Sequence, residues 1–208
     1  MASSHNAVIF LNGNPPSAEL IKKHIHPDDL LICTDGAYDY LMQYGIRPDL
    51  LIGDMDSISV LPDTQDIEII KTADQMNNDL EKALIFSLEQ NVGTLRVFGA
   101  DGKRLDHFII NLATLEKYSL YYSISVICEN EFMQFLSPGD HYFEGFPGKR
   151  FSLLALEKVR DLSLENAHYP LNESVLEKGS RGLSNAFSST RLRISFKSGK
   201  MLFMTELS

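Results

Sequence analysis

The sequence predicts an α/β domain followed by an all-β domain. Over residues 1–130, apolar runs of strand length alternate with segments of helical period. After Cys128 the helical period disappears, and short alternating segments separated by turn residues take its place. These observations predict a mostly parallel sheet with helices on both faces over residues 1–130, and a small β-sandwich over residues 131–208.

The first domain is predicted from six apolar runs, each with the length of a buried strand. They lie at 7–11, 30–34, 50–52, 67–71, 95–98 and 124–128. Segments of helical period lie at 17–24, 37–44, 79–89 and 105–118. The period is clearest in 79–89, where Asn78 followed three residues later by Glu81 predicts a capping box at the helix start. Strands that alternate with helices imply right-handed crossovers between parallel strands.

The second domain is predicted from short segments in which apolar and polar residues alternate. These segments lie at 132–136, 151–156, 162–165, 191–196 and 201–205. Pro-Gly pairs at 138–139 and 147–148 and the polar stretch 197–200 separate several of them. Alternation with frequent turns is typical of antiparallel strands in a sandwich.

The composition argues against two classes of binding partner. The chain has 208 residues, of which 44% are hydrophobic and 23% charged, and its formal net charge is −9. This acidic balance argues against nonspecific binding to nucleic acid or to anionic lipid. It is compatible with a small cationic substrate, or with an anionic substrate that is bound as its magnesium complex.

The cysteines and the apolar runs indicate a cytoplasmic protein that does not bind to membranes. Cys33 and Cys128 each lie in or at the end of an apolar run, as expected for buried thiols in a reducing compartment. No apolar stretch approaches the length of a membrane-spanning helix. The run at 7–11 is too short for the core of a signal peptide and has no basic flank.

The strongest chemical signal is the pair Asp54 and Asp56. An apolar run ends at Gly53, and the two carboxylates follow with one residue between them. Carboxylates held this close repel each other unless a cation lies between them, and a hard divalent ion is the usual solution. The pair therefore predicts a magnesium-phosphate site. Taken alone, however, the pair is better explained as an acidic turn that caps the following segment.

Similar polar groups follow the second, fourth and fifth strands, so that four successive strands end in such groups. In an open parallel sheet, ligands bind at the carboxyl ends of the strands, where these groups meet. Carboxylates can hold magnesium, lysine and arginine can neutralise phosphoryl oxygens, and glycine loops let backbone N–H groups approach an anion. The groups are Asp35 and Gly36 after the second strand, Asp79 and Lys82 after the fourth, and Gly99, Gly102, Arg104 and Asp106 after the fifth.

Each of these groups also has a purely structural interpretation. Asp79 complements the dipole of the helix that it begins, and Lys82 is placed to be its partner three residues on. Arg104 and Asp106 can cap and pair at a helix start, and the glycines can serve tight turns alone. Convergence of four such loops on one sheet edge nevertheless favours phosphoryl transfer.

Other nucleotide and metal sites lack their sequence signals. The chain contains neither the Gly-x-x-x-x-Gly-Lys-Ser/Thr loop of P-loop kinases nor the Gly-x-Gly-x-x-Gly loop of dinucleotide-binding enzymes. Its histidines do not have the spacing of zinc ligands.

At these residues the chain resembles the thiamin pyrophosphokinase family. The most specific features are a Gly-Asp-x-Asp-Ser sequence and, further on, an Arg-x-Asp-His sequence. The matching segments run in order through most of the chain: Thr34-Asp35-Gly36, Gly53-Asp54-Met55-Asp56-Ser57, Asp74-Gln75 with Asp79 and Lys82, Gly99 to Arg104-Leu105-Asp106-His107, Tyr169-Pro170-Leu171, and Gly182-Leu183-Ser184-Asn185.

The resemblance implies transfer of pyrophosphate from ATP to the hydroxyl of thiamine, with release of AMP, by a homodimer that uses Mg²⁺. It implies an N-terminal catalytic domain and a C-terminal domain for thiamine binding and dimerisation. The implied metal ligands are Asp54, Asp56 and Asp79, and the implied catalytic residues are these three with Lys82, Arg104 and Asp106. The implied ATP-binding residues are Asp35, Gly36, Ser57, Lys82, Gly99, Gly102 and Arg104, and the implied thiamine-binding residues are Gln75, Asp106, Tyr169, Ser184 and Asn185.

Two alternatives stay open at this point. One is a pyrophosphokinase for another alcohol, such as a hydroxymethylpterin, although such an enzyme would not need the Ser184-Asn185 segment. The other is a non-catalytic thiamine-binding module, although retention of Asp54, Asp56, Lys82 and Arg104 together argues against a loss of catalysis.

Overall fold

The protein folds into two compact units, Met1–Glu129 and Asn130–Ser208. Its structure is a computed structural model that describes residues 5–56, 58–59, 67–71 and 76–207. Within those residues, no helix has both the length and the apolar character needed to cross a membrane.

The first unit is built on a parallel sheet. The neighbouring strands in the order β6-β5-β1-β2-β3-β4 all run parallel. This arrangement confirms the mostly parallel sheet that the sequence predicts. The strands are β1 (His5–Phe10), β2 (Leu30–Thr34), β3 (Leu50–Gly53), β4 (Glu68–Lys71), β5 (Val92–Phe98) and β6 (Ser123–Ile127).

Four helices connect these strands: α1 (Ala18–Lys23), α2 (Asp35–Gln43), α3 (Asp79–Glu89) and α4 (Leu105–Tyr118). The chain moves outward from β1 to β4 and then returns to β5 and β6 on the other side of β1. Right-handed crossovers therefore put α1 and α2 on one face of the sheet and α3 and α4 on the other. In agreement, α3 contacts α4 and crosses β1, β2, β3 and β5.

Central strands covered on both faces explain the continuous apolar runs in the sequence. In β1, the four residues from Ala7 to Phe10 are fully buried, and the rings of Phe10 and Phe98 on neighbouring strands stack with centroids 5.6 Å apart. Polar residues appear where the strands end, so side chains that can bind a ligand or take part in a reaction lie at the carboxyl edge of the sheet.

The start of α3 differs in part from the predicted capping box. The Asn78 side chain accepts a hydrogen bond from the backbone N–H of Glu81 at 2.9 Å, as an N-cap should. The Glu81 carboxylate does not complete the box, because it accepts from Lys117 Nζ at 2.6 Å and from the Tyr118 hydroxyl at 3.2 Å. Glu81 therefore ties α3 to α4 instead of capping its own helix.

The second unit is an antiparallel sandwich. Its strands are β7 (Glu131–Leu136), β8 (Gly139–Glu144), β9 (Arg150–Ala155), β10 (Val159–Glu165), β11 (Leu171–Leu176), β12 (Asn185–Ala186), β13 (Arg191–Phe196) and β14 (Met201–Glu206). They pair in the orders β12-β9-β14-β7 and β11-β10-β13-β8. Phe151 and Phe203 from the first sheet share one buried core with Leu162 and Ile194 from the second. This shared core confirms the predicted β-sandwich.

Candidate active site

A cavity of about 410 Å³ opens at the carboxyl ends of strands in the first unit. Its walls are formed by the loops after β1 and β5, the end of β2, and residues of α2, α3 and α4. This is the edge at which an open parallel sheet binds ligands. The lining residues are Leu11, Asn12, Gly13, Thr34, Asp35, Asn78, Asp79, Leu80, Ala100, Gly102, Lys103, Arg104, His107 and Asn111.

An acidic cluster is formed by Asp35, Asp54 and Asp56. One carboxylate oxygen of each lies within 4.8 Å of the others, so the three could hold one metal ion. Sequence reasoning expected Asp79 as the third ligand, but the structure brings Asp35 to the pair instead. Because β2 and β3 are neighbours, their ends bring Asp35 and Asp54 together. Gly53 permits this approach, since a Cβ there would lie 2.9 Å from Asp35 Cγ.

Asp35 and Asp54 differ in how readily their carboxyl groups ionise. Burial, followed by the charges of Asp79 and Asp54 and a hydrogen bond with Asp54, raises the pKa of Asp35 to about 6. Hydrogen bonds lower the pKa of Asp54, first among them the one donated by the backbone N–H of Asp56 at 3.3 Å. The Asp35 carboxyl therefore takes up a proton at a higher pH than the Asp54 carboxyl does.

Asp79 lies at the first residue of α3 and lines the cavity. Its Oδ1 atom accepts a hydrogen bond from Lys82 Nζ at 3.0 Å, and the Lys82 side chain is only 12% exposed. The pairing that sequence reasoning considered as a structural alternative is therefore present. Because the charge of Asp79 also acts on Asp35, the pair is part of the electrostatics of the cavity.

Arg104 and Asp106 form a two-point ion pair before and within the first turn of α4. Arg104 Nε donates to Asp106 Oδ1 at 3.1 Å, and a terminal guanidinium nitrogen donates to Oδ2 at 2.5 Å. The Arg104 bond holds the pKa of Asp106 below its ordinary value. Asp106 is therefore suited to orienting groups as an anion and is a weak acceptor of protons.

The glycines of the cavity are required by close packing against the loop after β1. A Cβ on Gly36 would lie 2.0 Å from Asn12 Nδ2, and one on Gly99 would lie 2.3 Å from the Leu11 carbonyl oxygen. A Cβ on Gly102 would lie 1.8 Å from Asn14 Nδ2. Packing within the protein is therefore enough to explain these glycines, because the loop after β1 fills the space where a Cβ would lie.

Sequence reasoning missed this first loop and the residues Asn12, Gly13 and Lys103. The available signal was Asn12-Gly13-Asn14 directly after the first apolar run, a turn sequence at the same sheet edge as the acidic motifs. Two residues expected in the site, Ser57 and Gln75, lie outside the residues that the structure describes, as does Asp74.

The second unit contains a smaller, mostly apolar pocket of about 130 Å³. It is lined by Phe151, Leu153, Leu164, Tyr169, Leu171, Val175, Leu176, Arg181, Gly182, Leu183 and Asn185. Tyr169 and Asn185, both expected in the thiamine site, therefore lie at one pocket. Ser184 is exposed and has φ +60°, and its backbone N–H donates to Ser152 Oγ at 3.1 Å.

Comparison with known sequences decides the family. The family described as "Thiamin pyrophosphokinase, catalytic domain" matches residues 21–128, which is more than half of the chain. The chain belongs to the thiamin pyrophosphokinase family. A second family description, "Thiamin pyrophosphokinase, vitamin B1 binding domain", matches residues 140–201.

Two relatives carry the same name as the family. The chain is 30% identical to a thiamine pyrophosphokinase of Bacillus subtilis over 174 residues, which cover 79% of this chain and 81% of the relative. It is 27% identical to thiamin pyrophosphokinase 1 of Caenorhabditis elegans over 126 residues, which cover 56% of this chain and 52% of the relative.

Solved structures of the thiamin pyrophosphokinase family share the fold. The crystal structure of the Bacillus subtilis enzyme matches with a TM-score of 0.84 at 24% identity, covering 98% of this chain and 99% of that one. The Candida albicans enzyme matches with a TM-score of 0.79 at 19% identity, covering 99% and 90% of the two chains. The matched catalytic segment, 21–128, contains the acidic cluster, and the matched vitamin B1 segment contains Tyr169 and Asn185.

Proposed function

We propose that this chain is a thiamin pyrophosphokinase that transfers the terminal pyrophosphoryl group of ATP to the hydroxyl of thiamine, giving thiamin diphosphate and AMP. The observation that carries this proposal is the acidic cluster Asp35, Asp54 and Asp56 beside a cavity lined by Lys103 and Arg104. Membership of the family supplies the two substrates.

The acidic cluster fits a hard divalent cation, and we propose Mg²⁺. Its donors are carboxylate oxygens, which Mg²⁺ prefers. The charges of Asp79 and Asp54 add to the burial that raises the pKa of Asp35, and a bound cation would compensate these charges. Asp35, Asp54 and Asp56 would hold the ion, with Asp79 close enough to add charge. When bound, Mg²⁺ neutralises charge on the phosphoryl oxygens of ATP.

The residues around the cavity position and neutralise the reacting groups. The thiamine hydroxyl oxygen attacks the β-phosphorus of ATP and releases its proton to solvent. The bond from the β-phosphorus to the oxygen that bridges it to the α-phosphorus breaks, and AMP leaves with that oxygen. Lys82, held against Asp79, and Arg104, held against Asp106, supply positive charge as negative charge spreads over the transferred group. We assign Asp106 to orienting the thiamine hydroxyl, because a carboxylate with a lowered pKa accepts protons poorly. Most of the acceleration then comes from positioning and charge neutralisation.

We assign thiamine recognition to the second unit. A flat aromatic ring with a polar edge needs an apolar wall and a few fixed polar groups. The pocket lined by Tyr169 and Asn185 offers both, and Tyr169 is 64% exposed at its rim. We expect Gln75 and Ser184 near the same substrate and Ser57 near ATP, as the family resemblance implies.

We also propose that the enzyme is a cytoplasmic homodimer. Cys33 and Cys128 are both buried and form no disulfide within the described residues, which suits a reducing compartment. Three apolar side chains on α4, those of Leu105, Ile109 and Ile110, are more than half exposed, which is typical of a surface that meets another protein. Light scattering at working concentration tests this assignment, and a fully active monomer would contradict it.

A single assay tests the proposed reaction. The purified chain is incubated with ATP, MgCl₂ and thiamine, and the products are separated and quantified. Equal amounts of AMP and thiamin diphosphate are expected. Transfer to a hydroxymethylpterin in place of thiamine would establish the alternative alcohol. Thiamine binding without AMP release would identify a non-catalytic module.

A further inference from the structure

We propose that Lys103 is an additional phosphate-binding residue of this active site and that Asn12 positions it. The proposal rests on the proposed function, because ATP supplies the phosphates. It adds a cation and a loop that are not among the site residues predicted from the sequence.

Lys103 lies at the wall of the cavity, and its ammonium group is held in place. Lys103 Nζ donates to Asn12 Oδ1 at 2.8 Å, and both residues line the cavity. The Asn12 amide is itself fixed from the other side, since it fills the space left by the missing Cβ of Gly36. Asn12 therefore joins the loop after β2 to the loop after β5.

The loop that carries Asn12 is anchored by backbone contacts. The N–H of Gly13 donates to the Gly99 carbonyl at 2.8 Å, and the N–H of Asn14 donates to the Asp101 carbonyl at 2.7 Å. A Cβ on Gly13 would lie 2.1 Å from the Asp101 carbonyl oxygen, so only glycine fits. A side chain on so constrained a backbone can hold a partner at a defined position.

The partner of Lys103 leaves its charge uncompensated. Of the lysines and arginines that line the cavity in the described residues, Arg104 is bonded to the carboxylate of Asp106, whereas Lys103 is bonded to a neutral amide. An ammonium group has three donors, so the Asn12 bond leaves two for a ligand. The cavity is also lined by the carboxylates of Asp35 and Asp79. A polyphosphate bound beside these carboxylates needs positive charge, which Lys103 can supply.

The backbone conformation at Lys103 allows a substitution that distinguishes a functional role of the side chain from a structural one. Its φ is +51°, a conformation that favours glycine, and Gly102 beside it has φ +79°. A lysine here gains nothing from the backbone, so Lys103→Gly removes the charge while relieving the local conformation. Lys103→Met removes the same charge without that relief.

The test compares these two variants with Lys103→Arg and with Lys23→Met as a control on α1. Calorimetry measures the affinity for ATP with Mg²⁺ and for adenosine, and thermal unfolding is followed for each variant. Both Lys103→Met and Lys103→Gly should weaken ATP binding about tenfold or more and leave adenosine binding unchanged, since a charge-assisted contact to phosphate is lost. Lys103→Arg should stay within about threefold of the wild type. Asn12→Ala should weaken ATP binding in the same direction by a smaller factor.

The outcomes separate this inference from the proposed reaction. Wild-type protein that makes thiamin diphosphate, combined with a Lys103→Met variant whose ATP affinity matches that of Lys23→Met, overturns the role of Lys103 alone. Equal losses of ATP and adenosine affinity also overturn it, because they indicate a structural role. A third outcome is that the wild-type protein makes no thiamin diphosphate while Lys103→Met selectively weakens ATP binding. That result supports the phosphate contact and overturns the proposed reaction.

Discussion

Asn185 holds the backbone of Tyr169 at two points. Its Oδ1 atom accepts from the Tyr169 N–H at 3.0 Å, and its Nδ2 atom donates to the Tyr169 carbonyl at 2.9 Å. Oδ1 also accepts from the N–H of Ala186 at 2.8 Å. The side chain is buried and its amide is used within the protein, so Asn185 acts on the pocket by fixing Tyr169. Sequence reasoning expected Asn185 in the thiamine site, and the structure gives it a positioning geometry there.

Asn185→Ala is therefore expected to raise the Michaelis constant for thiamine about tenfold and to leave ATP binding unchanged. It should also lower stability by roughly 1–3 kcal/mol, because buried backbone groups lose their partners. Tyr169→Ala should raise the same constant with little loss of stability, since Tyr169 is largely exposed. Steady-state kinetics and thermal unfolding measure both effects. Asn172→Ala, at an exposed site on β11, serves as the control, and unchanged thiamine kinetics in both test variants would remove this pocket from the site.

Asp35→Asn is expected to stabilise the metal-free protein while abolishing most turnover. Because the pKa of Asp35 is raised from 3.8 to about 6, the folded state binds its proton more tightly than the unfolded state does. Its contribution to stability is then greatest below about pH 4 and is lost as the pH rises through 6. At pH 7.5 and without divalent ions, asparagine should raise the free energy of unfolding by roughly 1 kcal/mol, and the midpoint by about 2–4 °C.

Asp54→Asn is the matched variant for that experiment. The pKa of Asp54 is lowered, so neutralising it removes favourable hydrogen bonds and should stabilise the protein less than Asp35→Asn does. Both variants, and Asp56→Asn, should lose most of their turnover in the presence of magnesium. Near wild-type turnover in any of them would exclude that residue from the metal site.

Lys82→Met and Arg104→Met should each reduce turnover far more than they weaken thiamine binding. Loss of a charged contact at a developing negative charge raises the barrier by roughly 2–4 kcal/mol, which corresponds to a factor of about 30–1000 in rate. Kinetics with each substrate varied in turn will separate the two parameters. Arg104→Lys keeps the charge but not the two-point geometry toward Asp106, so it should retain part of the activity. An unchanged turnover number with a collapsed thiamine affinity would contradict the assignment.

Glu81→Gln should reduce the loss of folding stability that occurs as the pH falls below about 4.5. A hydrogen bond from Lys117, supported by one from Tyr118, lowers the pKa of Glu81 below its ordinary value of 4.5. The stabilisation is then fully present above pH 4.5 and is lost as the pH falls through the lowered pKa. At pH 7 the variant should be less stable by about 0.5–1 kcal/mol, since the Lys117 side chain is largely exposed. Glu89→Gln, exposed on the same helix, is the control; equal effects of the two substitutions would refute the link between α3 and α4.

The parallel strands and the four helices could be predicted because their burial leaves a strong pattern. β1, β2 and β3 lie inside the sheet, and their sequences are almost continuous apolar runs. β8 and β11 were not predicted, and they are the two edge strands of their sheet. An edge strand buries less of its surface, so β8 carries several exposed polar residues and its apolar alternation is weak.

Local motifs predicted which residues belong to the candidate site better than they predicted which of these residues lie next to one another. Asp54 and Asp56 are one residue apart, so their proximity follows from the chain itself. The addition of Asp35 depends on β2 lying beside β3 and on the absence of a Cβ at Gly53. Asp79 lies outside this group of three and is paired with Lys82, and its role as a metal ligand stays a prediction.

The sequence by itself determined the two fold classes, the carboxylate pair and the family, because each depends on periodicity or on spacing along the chain. Only the tertiary structure decided that Asp35 joins the pair, that Asn12 holds Lys103, and that Asn185 holds Tyr169. These contacts join residues from separate loops. Strand order and close backbone packing set their distances, and neither is expressed in the local sequence pattern.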